Sequence, residues 1–439
     1  MKPPHLADHR ERLAAGRTLR LKLPRRELGL WAPGDRDVVE LIRRSNDHRV
    51  HKLIPLKMAR MAASPFSFYR GTAFLMADDL APYGTTGLHT QICGDAHVRN
   101  LGAYATQDDV FLFDVNDFDE TTPGPWELDL KRLAASIIVV GREAGQNDDA
   151  CADAVHEMAD HYRKSVRAFA RMPVLDLTRH AIARSVGHGP VQRILRKAER
   201  KTPAQEMEKR TAPDEHGLPR FRELPLQTPV PEAVASRVIS SLKHYRETLS
   251  ANRQSIFDAY HPSDVAFKIA GTGSVGSRDY VVLLFGNGTG DPLFLQVKEA
   301  FPSCHAPYLP DVKIPAHHGQ RVAQGQQRMQ TVSDPFLGWT TIEDRHFLVR
   351  QIADRKAAIE PEDLKGKALL QYALVCGEVL AKAHARTGEP ALLAGYLGKS
   401  GKFARALTAF ALAYADQVEK DHTTFTKAIA DGKIEAALG

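Results

Sequence analysis

The sequence has few cysteines and no long apolar runs. Its four cysteines (Cys93, Cys151, Cys304 and Cys376) lie far apart and form no C-x-x-C pair, which argues against a zinc ribbon or a disulfide scaffold. No run of 18 apolar residues occurs, so a membrane partner is not expected. The N-terminal residues lack the apolar stretch of a signal peptide. We therefore expect a cytoplasmic protein.

Motifs for nucleic-acid binding are also missing, although the chain carries a formal charge of +6. The positive charge lies in residues 1–60, with 15 Lys and Arg against 7 Asp and Glu. No zinc finger, aromatic RNA-binding motif or basic-plus-heptad pattern accompanies it, so nucleic acid is not the expected partner. With 439 residues, 43% of them hydrophobic, the chain is long enough for two or three packed units.

The hydrophobic pattern predicts an α+β protein. Helical spacing covers residues 36–46, two helices between 51 and 80 that break near Pro65, 126–140, 151–170, 231–260, 320–330 and most of the last 75 residues. Short apolar runs predict strands at 88–93, 110–115, 265–270, 279–286, 292–300 and 345–352. Residues 187–232 are rich in Gly, Pro and alternating charge, which predicts an irregular connection. No internal repeat is present.

The first group of chemically suggestive residues is GDAHVRN at 94–100, followed by FLFDVNDFD at 111–119. Asp95 and Asn100 are five positions apart in a polar loop, where the aspartate can accept a hydroxyl proton and the asparagine oxygen can bind a hard cation. A carboxylate after the next strand can bridge that cation to a phosphate. Mg²⁺ prefers few protein oxygens together with phosphate oxygens. The spacing therefore predicts a magnesium and phosphate site.

The second group is GTGSVG at 271–276, with Lys298 in the sequence LQVKEA further on. A dinucleotide site needs a helix after the glycines, but here a strand pattern follows. Strand, glycine turn and strand form the arrangement in which backbone N–H groups cover nucleotide phosphates. A lysine on the third strand then reaches those phosphates. The pattern predicts a nucleotide site, whereas a tight hairpin with an exposed lysine explains only the glycines.

Both groups resemble the loops of protein-kinase-like phosphotransferases, especially the aminoglycoside and choline kinase type. More closely, the chain is identified as a member of the bacterial family called domain of unknown function 2252. The segments that carry this resemblance run from about residue 50 to the C-terminus. They are SPFSFYRG, GDAHVRNLG, DVNDFDE, PWELDLKRLAAS, GTGSVGSR, LFLQVKEA, RMQTVSDPFLGW, VRQIADRK, LAKAHARTG and YADQ.

The order of the motifs differs from that of ordinary kinases, because the glycine loop follows the catalytic loop by about 180 residues. LVCGEVLAKAHARTG also resembles the long helix that normally comes just before the catalytic loop. The resemblance thus implies a circularly permuted, protein-kinase-like two-lobe fold. Residues 1–262 would hold an N-terminal extension and the first part of a large helical lobe. Residues 263–352 would form a small antiparallel nucleotide lobe, and residues 353–439 would complete the large lobe.

The resemblance implies a role for each matching residue, with ATP and Mg²⁺ as cofactors. Asp95 would be the catalytic base, while Asn100 and Asp117 would bind the metal with help from Asp119. Lys298 would hold the nucleotide phosphates. The loop residues that would cover them are Gly271, Gly273, Ser274 and Gly276. Asp129 resembles the aspartate that supports the catalytic loop, and Asp114 is expected to be structural.

One feature departs from the kinase pattern. The lysine of an active kinase is paired with a helix glutamate, but residues 312–333 contain no acidic side chain. We expect Gln320, Gln324 or Gln327 to hydrogen-bond Lys298 instead. For Arg70 and Arg350 we expect ordinary ion pairs, and contact with phosphate or with the acceptor is the alternative. Glu299 should point to the opposite face of the strand from Lys298.

The leading hypothesis is an ATP- and Mg²⁺-dependent phosphotransferase that acts on a hydroxyl group of a small molecule or a protein. Its partners would be a nucleotide and that acceptor, which the sequence does not identify. A nucleotide-binding pseudokinase that serves as a scaffold is an alternative, as is an enzyme of the same fold that transfers AMP. A further alternative is a metal-dependent hydrolase that uses Asp95, His97, Asp114 and Asp117.

Overall fold

Helices form most of the molecule, and short antiparallel sheets form the rest. The computed structural model describes residues 8–182, 189–200, 203–269, 271–352 and 355–437. Its α-helices are α1 (His9–Lys22), α2 (Val38–Arg44), α3 (Ile54–Ala62), α4 (Pro65–Arg70), α5 (Ala73–Leu80), α6 (Trp126–Glu143), α7 (Asp148–Phe169), α8 (Val174–Arg179), α9 (Pro190–Glu199), α10 (Pro203–Arg210), α11 (Glu232–Glu247), α12 (Ala251–Phe257), α13 (His318–Met329), α14 (Lys367–Thr387), α15 (Pro390–Leu397) and α16 (Lys402–Ala430).

The strands of the described residues pair into four antiparallel sheets. They are β1 (His89–Ile92), β2 (Leu101–Ala105), β3 (Phe111–Val115), β4 (Thr122–Pro125), β5 (Thr211–Pro213), β6 (Pro219–Phe221), β7 (Gln227–Pro229), β8 (His261–Lys268), β9 (Asp279–Phe285), β10 (Pro292–Glu299), β11 (Gly338–Ile342), β12 (Arg345–Gln351) and β13 (Lys356–Ala358). The largest sheet has the order β11-β12-β10-β9-β8-β7, and a smaller one has the order β13-β2-β3. β1 pairs with β4, and β5 pairs with β6.

The six-stranded sheet is covered on both faces, which explains why β9 is apolar at nearly every position. Val282 and Leu284 pack with residues of α11 such as Leu242 in one core. Val281 and Leu283 face the other way, into a smaller core with phenylalanines of β6 and β10. Successive residues of a strand point to opposite faces. The residues of the run DYVVLLF are therefore covered on both faces of the strand.

A larger core holds the helices together. α6 begins at Trp126, directly after Pro125, and from Trp126 to Gly141 every residue except the partly buried Leu128 is buried. Such a helix lies inside a bundle, and here α7, α14 and α16 pack around it. α6 therefore forms the centre of the helical part.

The end of α14 lies against the start of β1, although nearly 300 residues separate them in sequence. The backbone N–H of Gln91 donates a hydrogen bond to Oγ1 of Thr387 at 3.1 Å. The first and the last described segments belong to the same helical part, because α1 packs on α15 and Ala437 N donates to Pro55 O at 3.1 Å. Gly16 permits the first contact, since a methyl group there would overlap the carbonyl of Leu392. The segments before β1 and after α14 thus complete one helical unit.

The α+β class with antiparallel sheets is confirmed, and most predicted helices and strands are present. The prediction of an irregular 187–232 is wrong for the described part of that segment, which contains α9, α10 and three short strands. Two helices replace the single helix predicted at 231–260, and three helices lie between 51 and 80. β2 and β11 were not predicted. The sheet also includes β7 from the segment 1–262, and the proposed domain limits stay a prediction.

Candidate functional site

A cleft of about 550 Å³ lies where the glycine-rich turn and β10 face the loops around β2 and β3. Seven of the predicted site residues line it: Asp95, Asn100, Asp117, Gly271, Gly273, Ser274 and Lys298. Asp119 lines two adjoining cavities that share Ser274 with the cleft. Gly276 lines none of these cavities. The two remote motif groups therefore meet at one place in the structure.

Hydrogen bonds to Asp129 of α6 hold the loop that carries Asp95. Both carboxylate oxygens of Asp129 accept backbone hydrogen bonds, from Cys93 N at 2.8 Å and from Gly94 N at 2.9 Å. Gly94 has a φ of +78°, a conformation that favours glycine. These contacts bend the chain after β1 and direct the next side chain, Asp95, into the cleft. Asp129 supports the loop as the resemblance implied.

Asp95 is paired with a buried arginine. Nε of Arg132 lies 2.7 Å from one of its carboxylate oxygens, while Nε2 of His97 lies 3.8 Å from the other. Burial raises the pKa of Asp95 to about 6, although the Arg132 guanidinium acts in the opposite direction. Asp95 is consequently a carboxylate at neutral pH that has an unusually high proton affinity. Burial also lowers the pKa of His97, which keeps that ring neutral.

Asn100 and Asp117 supply oxygens that suit a magnesium ion. The Asn100 amide donates to the backbone oxygen of Asp95 at 2.9 Å, which leaves the Asn100 side-chain oxygen for other partners. Burial, together with the neighbouring charge of Asp119, raises the pKa of Asp117, and a cation beside it would relieve both effects. Within the described ranges no three His, Cys, Asp or Glu side chains gather into a metal cage. Two protein oxygens plus phosphate oxygens fit Mg²⁺, which keeps several of its waters.

The predicted glutamine partner of Lys298 is wrong. The Lys298 ammonium donates to the Asp119 carboxylate and to Oγ of Ser274, the latter at 2.8 Å. Burial opposes the charge on Lys298, but Asp119 and Asp117 raise its pKa nonetheless. Burial acts against the charge of Asp119 too, and Lys298 lowers the pKa of that carboxyl. The carboxylate partner of the lysine thus comes from the segment FLFDVNDFD at 111–119. Glu299 points the other way, as predicted, and pairs with Arg278 and Arg345.

Two of the three glycines in the turn cover the cleft, and the third shapes the turn. Gly271 precedes a 3₁₀ turn at Thr272–Ser274, Gly273 lies within that turn, and both glycines line the cleft. Gly276 has a φ of +90°, and its carbonyl accepts a hydrogen bond from Val50 N at 2.7 Å. A side chain at 276 would crowd Arg49. Gly276 therefore positions the turn without facing the ligand space.

Arg321 of α13 is a site residue that the sequence reasoning missed. It is 2% exposed, and its guanidinium donates to the backbone oxygens of Thr121, Asp119 at 2.7 Å and Phe301 at 2.8 Å. An arginine on this helix therefore holds the backbone of the loop whose carboxylates face the cleft. The signal was available, because α13 combines an absence of acidic residues with an arginine on its apolar face.

Positive charge dominates the cleft. Seven lysines and arginines line it against two aspartates, and the cations are Arg60, Arg70, Arg99, Lys268, Lys298, Arg350 and Lys356. The ordinary ion pairs predicted for Arg70 and Arg350 are absent from the described residues: Arg350 donates to the Gln296 amide at 2.9 Å, and Arg70 pairs with no carboxylate. Burial, with Arg99 nearby, lowers the pKa of Arg70. Such a cleft is suited to an anionic ligand.

Asp114 does not belong to this site. It is buried and accepts a charged hydrogen bond from Lys382 of α14, and its carboxylate also accepts from Thr331 N at 3.1 Å. Asp114 is structural, as expected. The metal cluster of the hydrolase alternative, which needed Asp114 beside Asp95, therefore does not form.

The fold and site together define an α+β protein with a cationic cleft between a sheet and a helical unit. Residues 49–428 match the family described as "Uncharacterized protein conserved in bacteria (DUF2252)", and the chain belongs to this family. Comparison with curated proteins and with solved structures gave no match. In the part of the chain that the structure describes, no helix combines the length and the apolar character needed to cross a bilayer.

Proposed function

We propose that the protein is an ATP- and Mg²⁺-dependent phosphotransferase that acts on a hydroxyl group. The observation that carries the proposal is the single cleft lined by Asp95, Asn100, Asp117 and Lys298 under the glycine turn. Phosphoryl transfer needs positioning and charge stabilisation more than covalent chemistry by the protein. A base, metal-binding oxygens, a lysine and a phosphate-covering turn are the groups that this reaction requires together.

Each side chain has a role that its surroundings support. Asp95 accepts the proton of the acceptor hydroxyl, and Arg132 fixes the orientation of the Asp95 carboxylate. Lys298 and the backbone N–H groups of the turn hold the phosphates. Asp117 and Asn100 would hold Mg²⁺, which neutralises developing charge on the phosphate oxygens when it is bound.

We further propose that the fold is a circularly permuted kinase-like fold. Three observations support this: Lys298 lies on the third strand counted from β8, a helix follows that strand, and the end of α14 adjoins β1. In a kinase the corresponding lysine lies on the third strand. If the chain passed directly from α14 into β1, the glycine turn and Lys298 would precede the Asp95 loop. This is the order of the motifs in ordinary kinases. The first and last described residues belong to the helical unit, which is compatible with such a rearrangement.

AMP transfer is the second candidate function. It is favoured by the cations Lys268, Arg350 and Lys356 in the same cleft as Lys298. If the terminal phosphates of the nucleotide occupied that cationic region, the α-phosphate would be the one nearest Asp117. The remaining alternative is a scaffold that binds the nucleotide without catalysis. Unlike the phosphotransferase and the AMP-transferring enzyme, it would show no turnover.

Nucleotide-dependent thermal stabilisation tests the proposal. We expect ATP with Mg²⁺ to raise the melting temperature of the wild type by several degrees. This is the order of the shift expected when a ligand is present at about 100 times its Kd. The shift should shrink in Lys298→Ala and should lose its dependence on Mg²⁺ in Asp117→Ala. Asp108→Ala, at an exposed site outside the cleft, is the control. No shift in the wild type, or a shift that neither variant changes, would contradict the proposal.

A further inference from the structure

Beside Lys298, towards the start of β10, Gln296 and several charged side chains line the cleft together with Leu226, Ile269 and Ile352. Gln296 lies two residues before Lys298 on the same face of β10, about 7 Å away by strand geometry. Its amide nitrogen donates to both oxygens of Asp279, at 3.0 and 2.8 Å, and its amide oxygen accepts from Arg350. Gln296 is 6% exposed, so this polar bridge forms a fixed floor of the cleft.

Three cations converge above this floor. Arg350 comes from β12, Lys268 from the end of β8, and Lys356 from the start of β13. Lys268 makes no hydrogen bond or ion pair within the described residues. Strands of two different sheets thus bring positive charges together at one end of the cavity that also contains Lys298.

Two aspartates lie close to these cations. Asp279 faces Lys268 but is engaged by Gln296, and Asp334 accepts backbone hydrogen bonds from Phe336 N at 2.8 Å and Gln351 N at 2.6 Å. Neither aspartate lines the cleft. The space above Gln296 is therefore bordered by cations whose fields add.

The cations destabilise one another. Burial lowers the pKa of Lys268, and Arg350 and Lys298 lower it further, although Asp279 opposes them. Burial and Arg350 lower the pKa of Lys356 to about 7. Repulsion of this kind is relieved when an anion binds between the charged groups.

We infer that Lys268, Arg350 and Lys356 form a second phosphate-binding subsite in the cleft, separate from the phosphate contact of Lys298. The inference rests on the proposed function, because it assumes that the cleft binds a phosphorylated ligand. Arginine and lysine supply the charge-assisted hydrogen bonds that phosphate oxygens accept. The phosphate belongs either to the end of the nucleotide triphosphate or to a phosphorylated acceptor, and these two sources predict different reactions.

If the terminal phosphates of the nucleotide occupy the subsite, the reaction is AMP transfer. The acceptor oxygen forms a bond to the α-phosphorus, and the bond between this phosphorus and the bridging oxygen to the β-phosphorus breaks. Pyrophosphate leaves with that electron pair, and Asp95 receives the proton of the acceptor hydroxyl. If the acceptor carries the phosphate, the γ-phosphoryl group is transferred and ADP leaves instead.

The test compares the double variant Lys268→Gln/Arg350→Gln with Lys243→Gln, which removes an exposed lysine on α11 outside the cleft. Calorimetry on the full chain measures the binding of inorganic triphosphate, inorganic phosphate, AMP and ATP with Mg²⁺. We expect the double variant to bind triphosphate at least about tenfold more weakly than wild type, and the control to bind it as wild type does. Glutamine retains hydrogen bonding to Gln296, and the apo melting temperature checks that the variant is folded.

The four possible outcomes separate the two proposals. A parallel loss of ATP affinity with unchanged AMP affinity assigns the subsite to the nucleotide, and label from α-³²P-ATP should then enter products. Unchanged ATP affinity, with phosphate binding lost from ATP-loaded protein, assigns it to a phosphorylated acceptor. Wild-type binding of triphosphate and phosphate by the double variant overturns the subsite alone. Absence of ATP and triphosphate binding by the wild type overturns the proposed function as well.

Discussion

Asp95 lies where burial and a neighbouring guanidinium act on its pKa in opposite directions. Burial raises that pKa and Arg132 lowers it, with a result of about 6. A general base is most useful when its pKa is close to the working pH, because it is then ionised and still accepts a proton readily. The pairing with Arg132 therefore matches the role proposed for this carboxylate.

Replacing Asp95 by Asn should abolish turnover while it preserves binding. The amide oxygen still accepts from Arg132, but it cannot take a proton, so we expect a loss of about 100-fold or more in transfer of label from ATP. The thermal shift given by ATP and Mg²⁺ should persist. Asp108→Asn is the matched control at an exposed position. Near-normal turnover in Asp95→Asn would remove Asp95 from the mechanism.

Single residues differ in how far the sequence determines their roles. Asp95, Asn100 and Lys298 could be singled out because they stand in local motifs, and all three line one cleft, while their roles stay a prediction. The partner of Lys298 was not, because Asp119 reaches it from 179 positions away in sequence and only the tertiary fold brings them together. The role of Arg321 also depends on a distant segment, since its acceptors include the backbone oxygens of Thr121 and Asp119.

At the scale of elements, α13 begins at two adjacent histidines that pack against a third. His317 is its N-cap, and the neutral Nδ1 accepts from Gln320 N at 3.1 Å. The His317 ring stacks on His346 of β12 at 4.1 Å, and His346 accepts from His318 N. Burial and His346 lower the pKa of His317 to about 4, with His244 and His318 adding positive charge nearby. Burial, Arg321 and His346 lower the pKa of His318 to about 4.

Acidification below pH 6.5 should therefore remove stability that these two neutral histidines contribute. Both histidines have a folded-state pKa below the value of 6.5 for an unperturbed side chain. As the pH falls from 6.5 towards 4, the unfolded chain binds protons that the folded protein does not, so stability decreases.

His317→Asn tests this expectation, because Asn caps a helix without titrating in this range. The variant should show a smaller loss of stability between pH 7 and 5 in urea denaturation. His216→Asn, at an exposed turn, should retain the wild-type slope. An unchanged slope in His317→Asn would show that the helix end does not govern acid stability.

Elements were predictable where their own sequence is strongly patterned. The run PLFLQVKEA predicted β10 because it is apolar and short, as buried strands are. β2, with the sequence LGAYA, was missed since Gly and Ala have low strand propensity and its pairing with β3 supplies the structure. The short strand β13 likewise depends on its pairing with β2. Local pattern cannot reveal strands that form only by tertiary pairing.

At the scale of the whole molecule, one buried ion pair joins the two parts of the helical unit. Asp114 of β3 and Lys382 of α14 are 1% and 0% exposed, and 268 positions separate them in sequence. Removing one partner from such a pair leaves an uncompensated buried charge, which costs far more than the pair itself contributes. The pair therefore links the hairpin of β2 and β3 to α14.

Lys382→Met should lower the free energy of unfolding by about 3–5 kcal/mol. Asp114→Asn added to Lys382→Met removes the remaining charge, so the double variant should recover much of this loss. Lys367→Met, at an exposed position of the same helix, should be nearly neutral. Urea denaturation measures all three. A double variant less stable than Lys382→Met would contradict a penalty from the isolated carboxylate.

The order of motifs along the chain predicted that two remote segments would form one site, because a phosphate-covering turn and metal carboxylates serve the same ligand. It did not predict which segments complete the helical unit. That depends on contacts such as α1 with α15, whose sequences carry no chemical motif.

The junction of α14 with β1 has a consequence during synthesis on the ribosome. Asp95 and its loop emerge early, but Lys382 and Thr387, which contact β3 and β1, emerge nearly 300 residues later. The six-stranded sheet lies between them and has its own cores, so it has all its strands before the helical unit has all its helices. The cleft is consequently completed only when translation is almost finished, and the nascent early segment must stay unaggregated until then.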